Sequence, residues 1–257
     1  MAEDNEKTAG VNDDEARMGF LEHLEELRWR IIKSAIGVVV GSIICGIFVN
    51  WIMNYFLLAP AKSTNPPLVL INLKPYGQLV LYMEVILVGG IIVSIPNIFY
   101  QFWKFIQPGL LPGEKSYIWW IVFFTSFCFI GGAAFSYFII LPTALKFFAS
   151  FGTESITNNI AVNEYFSFIL SVMITSGIVF ELPMVSYFLS RLGLLTPAFM
   201  KKYRRHAIVV TLIVAGIVTP GPDITSQVLL SLPLFLLYEI SIVISRFAQK
   251  QRVKKEE

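Results

Sequence analysis

Apolar runs about as long as the hydrocarbon layer is thick recur along the chain, at about 31–58, 79–100, 117–141, 165–189, 207–218 and 228–244. Each is bounded by turn-forming or charged residues. The last two are short, and 207–218 falls well below the usual crossing length, so either the bilayer thins around it or its neighbours shield it. Its flanks still mark it as a crossing: Lys201, Lys202, Arg204 and Arg205 precede it, and the turn sequence TPGPD follows at 219–223. The pattern predicts an all-α integral membrane protein with six transmembrane helices, the last two short.

Charge placement supports that count. Six crossings with both ends in the cytoplasm put Lys62, Lys74 and Lys146 outside and the other 17 of the 20 Lys and Arg inside. Dropping one crossing would scramble this positive-inside bias, so an N-in/C-in topology is expected. With 55% hydrophobic residues, 15% charged residues and a mean hydropathy of +0.66, the composition excludes a soluble globular domain. The start, MAEDNEKTAGVNDDEA, is acidic where an export signal would be basic, so the first span is expected to be permanent. Three regions follow: an acidic, disordered tail over 1–17, a six-helix domain over 18–246 opening with an amphipathic cytoplasmic helix, and a basic cytoplasmic tail over 247–257. Cys45 and Cys128 lie inside apolar runs and indicate neither a disulfide nor a metal site. Gly37 and Gly41 make a GxxxG, a weak sign of self-association.

No metalloprotease, hydrolase or redox motif is present, and no catalytic residue or metal ligand is expected. GLLPGEKS at 109–116 resembles a phosphate loop, but it is one residue short between its glycines, Glu114 intervenes before the lysine, and Pro112 removes an amide. Three carboxylate-bearing clusters remain. In FLEHLEELRWR, positions 20–30, Leu21, Leu24 and Leu27 form a stripe while Glu22, Glu26 and Arg30 stand at four-residue spacing. An amphipathic helix anchored in the headgroup region is the plain reading. In FWKFIQPGLLPGEK, positions 102–115, Pro108, Gly109, Pro112 and Gly113 preclude a regular helix and present Glu114 on a fixed turn near Phe105.

The third cluster lies inside the membrane. Glu181 stands about 16 residues into its span, ~24 Å deep at ~1.5 Å per residue. An ionised carboxylate there costs ~3 kcal/mol or more, which implies a partner. Pro183 deprives a carbonyl one turn back of its donor and bends the helix. Thr219, Pro220, Asp223 and Gln227 fall near the outer end, at the turn between the short spans.

HLEELRWR, FIQPGLLPGE, FELP and TPGPDITSQ occur in this order between these spans, and together they resemble the twin-arginine translocase C subunit, the TatC family. The resemblance covers nearly the whole chain from Leu21 to Arg246 and implies a receptor, not an enzyme. Such a subunit sits in the plasma (inner) membrane, binds the paired arginines of Tat signal peptides on the cytoplasmic side, and exports folded proteins with the proton-motive force. Its implied partners are single-span TatA/TatB-like subunits and membrane lipids, within a multimeric complex; neither a cofactor nor a nucleic acid is implied. The motifs map Glu26, Arg28 and Arg30 onto the family's N-terminal helix, Phe105, Pro108 and Glu114 onto its first cytoplasmic loop, and Glu181 onto its intramembrane glutamate.

The chemistry fits. A carboxylate accepts two parallel hydrogen bonds from a planar guanidinium, so two arginines call for two carboxylates, Glu26 and Glu114, with Phe105 at hand for apolar or cation–π contact. Glu181, lipid-accessible or lining a cleft, would hydrogen-bond a polar residue on a partner's transmembrane helix. Two positions depart from the family pattern: Ser116 replaces a second basic residue, and Glu84 replaces a lysine and is expected simply to reach water. The alternative is an ion-coupled secondary transporter with Glu181 as its proton site, but no inverted repeat relates the three-span halves.

Overall fold

In the computed structural model, residues 3–65, 67–107, 118–150, 159–218 and 224–256 are described. EHLEELRWRIIKSAI, 22–36, contains neither glycine nor proline, and α1 (Glu3–Ile47) runs through it unbroken. The amphipathic segment is therefore not a separate helix lying in the headgroups; it continues the axis of the first crossing. The acidic tail expected to be disordered enters the same helix from Glu3.

The first crossing ends in shorter pieces: α2 (Val49–Trp51), a π-helical turn over Ile52–Leu57 and α3 (Ala59–Lys62). Cys45, Val49, Met53, Leu57 and Ala61 are all buried, at strict four-residue spacing. An α-helix turns 100° per residue and would rotate that series off the core; i→i+5 bonding turns less and keeps it on one face. Two tyrosines satisfy the backbone groups that the change of pitch and Pro60 leave open. Pro60 cannot donate to the Phe56 carbonyl, and the Tyr137 hydroxyl does so instead at 2.8 Å. The Tyr165 hydroxyl inserts one residue on, accepting from the Ala61 amide at 3.1 Å and donating to the Leu57 carbonyl at 2.8 Å.

A short strand β1 (Val69–Ile71) leads into α4 (Gly77–Ile106). The next apolar helix, α5 (Ile118–Phe135), passes through another π turn, Ser136–Ile140, into α6 (Leu141–Ser150). β2 (Asn159–Ala161) pairs in parallel with β1, Leu70 opposite Ile160, and caps this end of the molecule. The largest core sits beneath that cap, where Leu57, Leu81, Leu141, Leu145, Phe166 and Ile169 are buried.

The remaining helices are α7 (Val162–Val179), α8 (Leu182–Arg191), α9 (Pro197–Lys202), α10 (Arg204–Val218) and α11 (Ile224–Glu256). Among the described residues, five stretches are long and apolar enough to cross a membrane: Glu22–Ile47, Gly77–Ile106, Ile118–Ala149, Val162–Arg191 and Ser231–Lys250. At 15 residues α10 is the short crossing; the apolar run 228–244 lies within the 33 residues of α11, which carries on into the basic tail.

α1 and α4 pack antiparallel along their length. The Ser94 hydroxyl donates to the Gly37 carbonyl at 2.6 Å, and the Asn97 amide to the Lys33 carbonyl at 3.2 Å. A Cβ at Gly41 would stand 2.6 Å from the Gly90 carbonyl oxygen, so both glycines are needed for the backbones to approach this closely. The GxxxG thus serves a contact within the chain.

Candidate functional site

The α1–α4 seam ends at the rim opposite the β cap. Glu26 and Arg30 share the face of α1 that meets α4, and the Arg30 guanidinium donates to Glu26 Oε1 through Nη2 at 2.8 Å and Nε at 3.3 Å. Its third bond, from Nη1, crosses to Gln101 Oε1 on α4 at 3.2 Å. Gln101 is buried. One turn further along α4, Phe105 stacks on His23 of α1, ring centroids 4.3 Å apart and 15° from parallel.

The seam therefore joins two clusters that are about 80 positions apart in sequence, and brings Glu26 and Phe105 to one surface. Arg28, two positions from Glu26, is exposed away from the seam. Pro108 and Glu114 lie outside the described residues. Arg30 changes what Glu26 offers. Both of its bonds go to Oε1, and among the described residues no donor meets Oε2, so one oxygen of Glu26 is left open where the sequence led to an expected bidentate pair.

Glu181 occupies a break. α7 stops at Val179, the Glu181 amide reaches back only three residues to the Ile178 carbonyl at 3.1 Å, and α8 restarts at Leu182 with Pro183 in its first turn. The side chain is 8% exposed, which makes it buried, not open to lipid, and its Oε1 has no hydrogen-bond partner among the described residues. Two glycines close the bundle just before it: a Cβ at Gly177 would meet the Phe129 ring at 2.7 Å, and one at Gly132 the Ser176 carbonyl oxygen at 2.6 Å. Trp103 Nε1 and Ser126 Oγ, on α4 and α5, are likewise buried without a described partner. Trp103 packs edge-on against Phe188 of α8 at 4.6 Å.

Two further polar side chains are tied within the chain. The Gln227 amide donates to the Leu212 carbonyl at 2.8 Å and so links α11 to α10. Glu84, expected to reach water, accepts from the Ser167 hydroxyl at 3.0 and 3.3 Å across the α4–α7 contact. Thr219, Pro220 and Asp223 lie outside the described residues. Sequence reasoning missed Gln101 and the seam role of His23. The signal was there: Gln101 stands four residues before Phe105, and His23 three before Glu26, each pair on one helical face.

Comparison with known proteins agrees with this architecture. The family model for "Sec-independent protein translocase protein (TatC)" matches residues 22–233. The chain is 38% identical over 239 residues to the Sec-independent protein translocase protein TatC of Carboxydothermus hydrogenoformans, covering 93% of this chain and 97% of that one. It is 37% identical over 237 residues to the protein of the same name from Aquifex aeolicus, covering 91% and 98%. A crystal structure described as the twin-arginine translocase receptor TatC superposes with a TM-score of 0.80 at 38% identity, covering 88% of this chain and 99% of that one. A multi-pass chain with this helix order, this rim and this intramembrane break, matched over nearly its whole length, belongs to the TatC family of Sec-independent protein translocases.

Proposed function

We propose that this protein is the signal-peptide receptor and core subunit of a twin-arginine translocase in the plasma membrane, both termini cytoplasmic, exporting folded proteins with the proton-motive force. The α1–α4 rim receives the paired arginines. Glu26, held by Arg30, offers Oε2 to one guanidinium; Glu114, which follows α4 in sequence, offers a second carboxylate. Arg28 faces the solvent beside them, and the Phe105–His23 stack fixes the root of the loop. The observation that carries this reading is the meeting of the two motif-bearing segments in one seam, through Arg30–Gln101 and His23–Phe105.

Glu181 serves a different ligand. A buried carboxyl oxygen without a partner among the described residues, at a helix break, is an acceptor held ready for a polar side chain on the transmembrane helix of a small single-span subunit. The rival reading, an ion-coupled transporter with Glu181 as proton site, gives way to membership in a protein-translocase family.

The test is titration of a fluorescent twin-arginine signal peptide onto the purified protein in nanodiscs. Glu26→Gln and Glu114→Gln are each expected to weaken binding about tenfold, the loss of one charge-assisted contact, while a twin-lysine peptide loses little more. Affinity unchanged in both variants would remove the rim from the binding site.

A further inference from the structure

A second charged feature lies away from the α1–α4 seam, where α9 meets the end of α11. The α9 helix is capped by the Thr196 hydroxyl, which accepts from the Phe199 amide at 3.2 Å, and is fastened to α11 by the Tyr238 hydroxyl, which donates to the Met200 carbonyl at 2.8 Å. On its other side α11 is locked to α8 by the buried Ser190–Ser245 hydroxyl pair, 2.6 Å apart. Between α9 and α11 remains an open cleft of about 570 Å³ lined by Pro197, Ala198, Lys201, Arg246, Gln249 and Lys250. Three cations and an amide converge on it without a carboxylate in the lining. The ion pairs Arg30–Glu26 and Arg204–Glu239 do not involve Lys201, Arg246 or Lys250.

What fills such a cleft is decided by what adjoins it. Leu236, Ile240, Val243 and Phe247 are 54%, 41%, 49% and 64% exposed. At 100° per residue they fall on one side of α11, continuous with Arg246 and Lys250. The strip runs ~16 Å along the helix axis and ends at the cations, at the close of the Ser231–Lys250 apolar stretch. An apolar track of that length leading into a basic cleft at the membrane boundary matches a molecule with an acyl chain and an anionic head. A twin-arginine peptide, itself cationic, is repelled by it. We infer that the α9–α11 cleft is a binding site for one anionic phospholipid, its phosphate held by Lys201, Arg246 and Lys250 and its chain laid along Val243 and Phe247. Basic pockets between helices on the cytoplasmic side, where the leaflet is anionic, suit such headgroups.

Native mass spectrometry of the full chain, released from detergent with added phosphatidylglycerol or phosphatidylcholine, measures this. Phosphatidylglycerol is expected to bind at least about tenfold more tightly than phosphatidylcholine, and Lys201→Gln/Arg246→Gln/Lys250→Gln to erase the difference. Phe247→Ala should weaken phosphatidylglycerol several-fold, and inorganic phosphate should not compete at concentrations where the lipid saturates. Equal binding of the two lipids, an unaltered preference in the triple variant, or competition by inorganic phosphate alone would each overturn the proposal. If the triple variant fails to fold, Arg246→Gln and Lys250→Gln separately are expected to lose about threefold each, and no loss in either would overturn it equally.

Discussion

The rim and the break at Glu181 each hold a carboxyl in helical surroundings, yet they treat it in opposite ways. At the rim, Glu26 is tied by Arg30, which is tied to the buried Gln101, so the acid is oriented before any ligand arrives. At the break, Glu181 is more deeply buried and has an oxygen that nothing described satisfies. A polar group paired in the resting state contributes to the fold and keeps its geometry; one left unpaired weighs against the fold and is retained for what will meet it. The same side-chain type is therefore paired within the chain in one place and left with an unpaired oxygen in the other, in keeping with the two roles proposed for them.

The strongest way to break this contrast is Arg30→Ala. It removes three hydrogen bonds and strands the buried Gln101 acceptor, so the chain should lose about 2 kcal/mol, read as a lowered midpoint in thermal unfolding in detergent. Arg30→Lys should recover less than half, because an ammonium cannot span Glu26 and Gln101 together. An undiminished midpoint in Arg30→Ala would mean the rim is not held by this network.

Glu181→Leu should act with the opposite sign. Replacing a buried carboxyl that has one unsatisfied oxygen with an apolar side chain of similar length should raise the stability of the isolated chain by about 1 kcal/mol, while co-purification of the single-span partners is lost. Glu181→Gln, which keeps an acceptor, should retain them. Destabilisation by Glu181→Leu would show that the carboxyl is an internal tie and not a socket.

How much of this was legible beforehand follows from the kind of signal each feature sends. Apolar length and basic flanks located the crossings, even the 15-residue α10, because hydrocarbon thickness and charge placement are written locally. Pro183 announced the break at Glu181 for the same reason: a missing amide acts on its own helix. The partners were not legible. That Arg30 would reach Gln101, Glu84 would meet Ser167, and Gly41 would face Gly90 depends on how α1, α4 and α7 lie side by side, which one sequence does not state. The π turns were hidden too, although the four-residue spacing of Cys45, Val49, Met53, Leu57 and Ala61 marked the first of them for a reader who asked which helix keeps that series on one face.

The smallest effect sharpens the comparison most. The His23–Phe105 stack is partly exposed, so each single alanine variant should cost the fold little, about 0.5–1 kcal/mol. Its importance is positional: Phe105 stands at the end of α4, ahead of Glu114 in the sequence, and the stack holds that end against the helix bearing Glu26. If the rim is preset, His23→Ala and Phe105→Ala should each weaken signal-peptide binding two- to threefold, and the double variant should be no worse than the poorer single, because both remove one contact. Additive losses would mean instead that the two rings touch the peptide separately, and the rim would then form around its ligand.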